Sequence, residues 1–278
     1  VLEILLSDEL FDKYVKMIYK ETGIFYEINK KYYVQKRIEK RAQSFDIDLN
    51  EYYSMLKFTK SSSEFYQLIN DLTVNETYFF RDFPQLRNFA EDILPVFENE
   101  YRDRKKIKIW CAACSTGEEA YTLAIILLEM LDEPEEWQIQ ILASDINSEV
   151  LRIAKAGLYD KRSIKEVPRE YLEKYFTLHN DKYFICDDIK RYINFKRINL
   201  MDEEAMKEIN GCDFIFCRNC LIYFDEVSRR SVVARFYESL NPGGYLFLGH
   251  SESVGRISSA YKAARMGDTI IYSKPRDS

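Results

Sequence analysis

Two adjacent carboxylates, Glu118 and Glu119, follow a run of small residues (Ala112, Ala113, Ser115, Thr116, Gly117) and precede the apolar-periodic stretch Tyr121 to Met130. Ahead of the small residues, Ile107, Ile109 and Trp110 alternate as a buried strand would. A strand that turns through small residues into a helix is the opening unit of a doubly wound α/β sheet, where ligands approach the backbone at the strand's carboxyl end. Only Gly117 stands where a dinucleotide fingerprint needs three glycines, and two acids at the helix start compete with a pyrophosphate for the positive helix end. A cationic ligand carrying an amino group fits this turn better, which points to S-adenosylmethionine (SAM) rather than a nicotinamide dinucleotide.

Other residues could join that chemistry. Asp145 ends the strand-like run WQIQILASD, where an acid can accept hydrogen bonds from a ribose diol or cap the helix that follows. In the linker Asn75 to Asp82, three aromatics interleave with Asn75, Thr77 and Arg81, spaced so that an extended segment lays polar groups beside the sheet. The pairs Cys111-x-x-Cys114 and Cys217-x-x-Cys220 have zinc spacing, but their flanks IKIW and FIF are apolar strands and favour buried thiols; no metal is expected. His179 and His250 read as structural.

The positioning elements follow from periodicity. Residues 1–72 are poor in glycine and proline and read as an all-α domain: helices from Asp8 (capped by Ser7) to Tyr19, from Asn29 to about Ser44, from Asp48 to Lys57, and from Ser61–Ser63 to Leu72. Residues 73–106 form a linker and a helix, Pro84 to Glu100. Residues 107–278 form the α/β domain, with an antiparallel excursion inserted at about 160–196, built from Asp181 to Ile185 and Tyr192 to Phe195. A strand ending at Asn199-Leu200, another over Asp213 to Cys217, a turn at Asn241 to Gly244, a strand Tyr245 to Leu248 and a closing strand Thr269 to Ser273 complete it. The net charge of −6 excludes a general nucleic-acid footprint. No apolar run approaches a membrane span and the opening VLEILLSDEL has no basic leader, so the chain reads as cytoplasmic, with no direct membrane insertion. Against the acidic background the second helix holds a local basic strip, with Lys36 above Lys40 and Arg37 above Arg41. That strip is either a solvated face or a docking surface for an acidic partner helix.

The segments NETYFFRD (75–82), CSTGEEAY (114–121), ASDIN (143–147), FCRNCLIYFD (216–225) and GGYLFLGHSES (243–253), in this order, resemble the CheR family of chemotaxis receptor methyltransferases over nearly the whole chain. The resemblance implies a Rossmann-like SAM-dependent methyltransferase domain with an inserted β-subdomain, preceded by a small all-α domain. It implies transfer of the SAM methyl group to glutamates on cytoplasmic chemoreceptor helices, giving carboxyl methyl esters and S-adenosylhomocysteine. By position, it implies that Asn75, Thr77 and Arg81 approach the methionine end and the methyl-transfer centre, that one or both of Glu118 and Glu119 (preferably Glu119) hold the ammonium, and that Asp145 binds the ribose. It further implies that Asn199, Leu200, Arg218 and Asn219 surround the adenine and methionine parts, and that Arg81 and Tyr223 act near the reacting glutamate. Lys36, Arg37, Lys40 and Arg41 become the receptor-docking strip.

The chemistry is consistent with that implication. A glutamate is already ionised at neutral pH and a sulfonium methyl needs an in-line nucleophile, so no general base is required. Two departures stand out: Ala120 replaces the proline many relatives carry, and the turn Thr177 to Asp181 lacks the glycine of members that grip a receptor's C-terminal pentapeptide, so no such tether is expected. The rival readings are a base-amino methyltransferase, disfavoured because Arg218 to Tyr223 holds no prolines, and a non-enzymatic SAM sensor.

Overall fold

The computed structural model describes residues 6–58, 63–254 and 258–276. Four helices come first: α1 (Asp8–Thr22), α2 (Lys31–Gln43), α3 (Leu49–Phe58) and α4 (Ser63–Leu72). The Ser7 hydroxyl accepts the Leu10 N–H at 3.1 Å, and Gly23, left-handed at φ 71°, ends α1 by donating to the Tyr19 carbonyl. Asp48 accepts from the N–H groups of Asn50 and Glu51 while Glu51 returns a bond to the Asp48 N–H, a reciprocal capping box. Asn29 does not open α2: its amide donates to Glu27, and a 3₁₀ turn Ile28–Lys30 precedes the helix. Ser61 and Ser62, expected at the start of α4, lie outside the described residues. Tyr14, Ile18, Val34, Ile38, Leu68 and Ile69 fill the core between these helices.

The other described residues are organised by ten strands: β1 (Lys106–Ala112), β2 (Gln138–Asp145), β3 (Leu158–Tyr159), β4 (Phe176–His179), β5 (Lys182–Ile185), β6 (Ile193–Arg197), β7 (Cys212–Cys217), β8 (Leu240–Leu248), β9 (Lys262–Met266) and β10 (Thr269–Ser273). Seven form one sheet in the order β6-β2-β1-β7-β8-β10-β9; β6 through β8 run parallel, and β10 is antiparallel to both β8 and β9. The winding reverses between β1 and β7, and the carboxyl ends of those strands flank the crevice where doubly wound sheets bind ligands. Every residue of β7 is buried, as a central strand covered on both faces requires. No helix among the described residues is long and apolar enough to cross a membrane.

Several expectations are corrected here. Tyr192 to Phe195 does not belong to the inserted excursion; β6 is the edge strand of the main sheet, registered from Ile141↔Ile193 to Asp145↔Arg197. Short alternating runs carry no signal of which sheet they join, which is why the pattern misled. The small sheet is β3-β5-β4, and its β4–β5 hairpin turns through Asn180 and Asp181 at φ 48° and 58°. That is the conformation a two-residue hairpin needs, and Asn and Asp tolerate it without glycine. The strand expected to end at Asn199-Leu200 stops at Arg197, leaving both residues in the following loop. Thr269 to Ser273 does not close the sheet; β9, which carried no clear strand signal, pairs outside it.

The expected helix Pro84 to Glu100 is interrupted. It runs as α (Phe83–Arg87), π (Asn88–Ile93) and α again (Leu94–Glu100). Pro95 has no N–H for the Glu91 carbonyl, and the ladder slips so that Leu94 N–H reaches Phe89 O, five residues back. Phe89 packs edge-on against Phe214, Phe216 and Phe247, and the Asn88 amide donates to Met266 O (2.9 Å) and Thr269 Oγ1 (2.7 Å). This helix therefore ties the segment carrying Arg81 to the far side of the sheet.

Candidate active site

At the carboxyl ends of β1, β2 and β7, beneath the helical domain, lies a cavity of about 700 Å³. That is the size of small-molecule and cofactor sites. Its floor is the β1–helix turn. Ala113, Ser115 and Gly117 all have positive φ (60°, 50° and 93°), folding the chain sharply before the Glu118–Met130 helix. A Cβ at Gly117 would stand 2.9 Å from the Ala154 Cβ, so the close packing of two helices requires glycine there.

Two consecutive acids leave this turn about 100° apart around the helix, and the cavity receives only one. Glu119 lines it; Cys111 Sγ donates to Glu119 Oε1 (3.1 Å) and Arg218 Nη1 lies 3.0 Å from Oε2. Glu118 is buried elsewhere, accepting from Thr116 Oγ1 at 2.6 Å, and does not line the cavity. Of the two acids, only Glu119 is among the residues lining this cavity. Burial raises the Glu119 pKa above the usual carboxylate range, with the Arg218 charge pulling the other way.

Arg218, buried at the end of β7, forms a second contact with Asp82 (Nη2–Oδ2 3.1 Å) and donates to the Arg81 carbonyl. The trio Asp82, Arg218 and Glu119 carries one net negative charge, a setting for an added cation. The Arg218 Nε is a buried donor with no acceptor among the described residues, a vacancy that suits an anionic group on the same ligand.

Asp145 ends β2 with its carboxylate held by two backbone donors, Ser115 N–H to Oδ2 and Asn147 N–H to Oδ1, both at 2.9 Å. Burial pushes its pKa up while these donors pull it down. The helix-cap role falls to Asn147, whose Oδ1 accepts from Glu149 and Val150 at the start of the Ser148–Ala156 helix, leaving Asp145 turned to the cavity. Asn75, Thr77, Arg81, Asn199, Leu200, Asn219 and Tyr223 also line the cavity. The Asn75 carbonyl accepts from Ser115 Oγ (3.0 Å), fastening the linker to the turn, and the Asn199 amide donates to Glu21 O, fastening the loop after β6 to α1. Arg81 spends one guanidinium arm on the Glu76 carbonyl (2.8 Å). Tyr223 sits on a 3₁₀ turn, Leu221–Tyr223; burial raises its phenol pKa, so it stands as a protonated donor and not a base.

One residue escaped sequence reasoning. Glu252 accepts three backbone N–H groups: Gly249 (2.7 Å) and Asn219 (2.9 Å) on Oε2, and Ile222 (3.2 Å) on Oε1. It holds the left-handed turn at Asn219 (φ 58°) and the start of the Tyr223 turn against the end of β8. A Cβ at Gly249 would lie 2.8 Å from Glu252 Oε2, so the Gly-x-x-Glu spacing was the available signal.

The basic strip of α2 is mostly engaged. Arg41 makes a two-armed pair with Glu64, which also accepts from Tyr52 Oη, so its guanidinium is engaged within the all-α domain. Lys36 reaches Glu39 (3.0 Å) and Lys40 reaches Asp71 (3.5 Å). Arg37 stacks over Tyr33, 3.5 Å from its ring centre, and Tyr33 lines the cavity. All four cysteines of the two C-x-x-C pairs surround β1 and β7, three of them buried. Burial pushes the Cys111 and Cys114 thiols well up, so they stay protonated.

Comparison with known proteins adds to this geometry. The family model described as CheR methyltransferase, all-alpha domain, matches residues 9–73, and that described as CheR methyltransferase, SAM binding domain, matches 75–269. Chemotaxis protein methyltransferase 2 of Vibrio cholerae is 42% identical, covering 98% of this chain and 95% of that protein. The chemotaxis protein methyltransferase of Salmonella typhimurium is 34% identical over 91% of this chain and 86% of its own length. That of Borreliella burgdorferi is 33% identical over 89% of each.

Proposed function

The chain belongs to the CheR methyltransferase family, and from that premise we propose that it moves the methyl group of SAM to glutamate side chains on cytoplasmic chemoreceptor helices, forming carboxyl methyl esters during chemotaxis adaptation. The observation that supports this reading best is the pairing, in one cavity, of a cation-accepting floor (Glu119 with Arg218 and Asp82) with Arg81 and Tyr223 on the lining.

SAM supplies an activated sulfonium methyl, so the protein's residues have only to hold, orient and partly dry the reactants. Glu119 would hold the ammonium group, Arg218 Nε would be the donor for the carboxylate beside it, and Asp145 would accept from the ribose hydroxyls. Asn75, Thr77, Asn199, Leu200 and Asn219 form the remaining wall. Arg81 orients the incoming glutamate, and the protonated Tyr223 adds a hydrogen bond. Both contacts must be modest, because a carboxylate gripped by strong donors is a poorer nucleophile.

For the receptor, Arg37 beside the cavity and the exposed Lys40 remain the basic contacts, with Lys36 next to them. The glycine-free β4–β5 hairpin supports recognition without a pentapeptide tether. A peptide-binding assay should find no tight, specific capture of a receptor C-terminal pentapeptide.

Transfer of labelled methyl from SAM to receptor cytoplasmic fragments, followed by mild alkali, tests the function. Volatile labelled methanol supports the carboxyl ester. Alkali-stable label overturns it in favour of another acceptor atom, and binding of SAM without transfer favours a sensor.

A further inference from the structure

A methyl acceptor that is part of a protein has to reach Tyr223 through the mouth of the cavity, and one side of that mouth is apolar. Ile222, next to Tyr223, is 42% exposed, and Phe25, whose N–H donates to the Tyr223 carbonyl at 2.9 Å, is 52% exposed. An antiparallel bridge between Ile24 and Phe224 holds these two segments together, so Phe25 and Ile222 flank the same tyrosine. The exposed apolar residues then continue along the chain with helical spacing: Ile28 in the 3₁₀ turn at 61% and Tyr32 in the first turn of α2 at 71%.

This strip is held rigidly from beneath. Tyr26 and Tyr33 stack 6.4 Å apart and both donate their hydroxyls to the Leu72 carbonyl, at 2.9 and 3.0 Å. Arg37 closes that stack from the other side. Ile222 beside Tyr223, with Phe25, Ile28 and Tyr32, makes four large exposed apolar side chains on segments next to one cavity, a grouping more typical of an interaction surface than of singly scattered surface hydrophobes. Lys36 lies over the Tyr32 ring at 5.4 Å and gives the α2 end of the strip a basic side chain.

We infer that Ile222, Phe25, Ile28 and Tyr32 are a docking strip for the acceptor helix itself, which lies along the start of α2 and presents apolar side chains one and two turns from the accepted glutamate. The inference rests on the proposed acceptor, and it extends it by naming what flanks that glutamate. A helix repeats every 5.4 Å, so residues three or four positions away share the face of the glutamate and meet Phe25 and Ile28 when its carboxylate enters the cavity. Recognition by an apolar strip with a basic end selects an amphipathic acidic helix over a merely acidic one.

The test measures initial rates with a chemoreceptor cytoplasmic fragment as acceptor, and S-adenosylhomocysteine affinity by calorimetry. Phe25→Ser with Ile28→Ser should raise KM for the fragment at least fivefold, with kcat at saturation and cofactor affinity within twofold of the parent. Val96→Ser, at an equally exposed apolar position on the Leu94–Glu100 helix, is the control and should change nothing. A second arm changes fragments: serine in place of the apolar residues one turn from the accepted glutamate should raise KM for the parent enzyme and have little further effect on the double variant. Unchanged KM in the double variant overturns the inference, as does a KM increase that the fragment substitutions do not share. Loss of cofactor affinity overturns it too, by assigning the strip to the cofactor site. Failure of the parent enzyme to methylate the fragment at all sinks the acceptor assignment, a result distinguishable from all of these.

Discussion

The floor of the cavity and its mouth are made of opposite materials. On the floor, Asp145 and Arg218 are buried and Glu119 is half-buried, and each is bound by backbone donors, a thiol or a counter-charge. At the mouth, Phe25, Ile28 and Ile222 lie open over backbone segments fixed by the Ile24–Phe224 bridge and the Tyr26–Tyr33 stack. Buried charges are tolerable only when satisfied, so the floor is committed to one ligand of fixed chemistry. Exposed apolar groups have a weak, non-directional demand, which suits a macromolecular partner that must arrive, react and leave. Affinity for the small molecule and turnover of the large one are thus assigned to separate surfaces.

Substitutions on the floor should give the largest effects. Asp145→Ala removes the ribose acceptor and strands two N–H groups, and the stranded donors cost about 1–3 kcal/mol each. Cofactor affinity measured by calorimetry should fall on the order of a hundredfold or more, about 2.7 kcal/mol, with a lower Tm. Retained affinity would remove Asp145 from the site. Glu252→Ala releases the turn shared by Asn219 and Tyr223, so both cofactor affinity and kcat should fall, on the order of tenfold each, since a lost hydrogen bond to a charged group is worth about 1.5–3 kcal/mol. An effect on Tm alone would make Glu252 a scaffold residue.

Tyr223→Phe sits at the boundary between the two regions. It should lower kcat about threefold to tenfold, the worth of one modest hydrogen bond of about 0.5–1.5 kcal/mol, while leaving cofactor affinity alone. The pH dependence of cofactor binding sharpens the comparison further. Because burial raises the Glu119 pKa, acidification protonates it and withdraws the charge that faces the ammonium. Affinity should therefore weaken as pH falls from neutral, and Glu119→Gln should flatten that profile at a weaker level; an unchanged profile would exclude Glu119 as its source. In the unliganded protein the sign for stability runs the opposite way. A carboxyl whose folded pKa is raised favours the fold most at low pH and loses that contribution as pH rises through the folded value.

The smallest effects belong to α2. Arg37→Glu should raise KM for the receptor fragment about threefold, within the roughly 1 kcal/mol of an exposed charge contact. Arg41→Glu should instead lower Tm, because it breaks the partly buried pair with Glu64 and the Tyr52 bond. A matching KM effect for both would place Arg41 on the docking surface.

How much of this was legible in the sequence depended on the range of the interactions. The β1–helix turn, the β2 boundary at Asp145 and the Ser7 cap are local, set by small residues, alternation and a hydroxyl three positions from its donor. The choice between Glu118 and Glu119 depends on which side of a helix faces β7, and only the packed sheet decides it. The Arg41–Glu64 pair joins residues 23 apart in sequence, and the Glu252 contact with Asn219 spans 33. Neither has a periodic signature. β6 was misassigned for the same reason, since its strand pattern is local but its partner is 52 residues back in register at Ile141.

The Asn88 amide, seated on Met266 O and Thr269 Oγ1 beside the π-turn, has a consequence for biosynthesis. The helix that anchors the Arg81 segment is completed by atoms contributed some 180 residues later. The all-α domain contains its own core and can fold while the ribosome is still at work. The methyl-transfer machinery is different in kind. Until β9 and β10 have emerged, the segment from Asn75 to Arg81 lacks its rear support, so catalytic competence cannot precede the synthesis of those two strands.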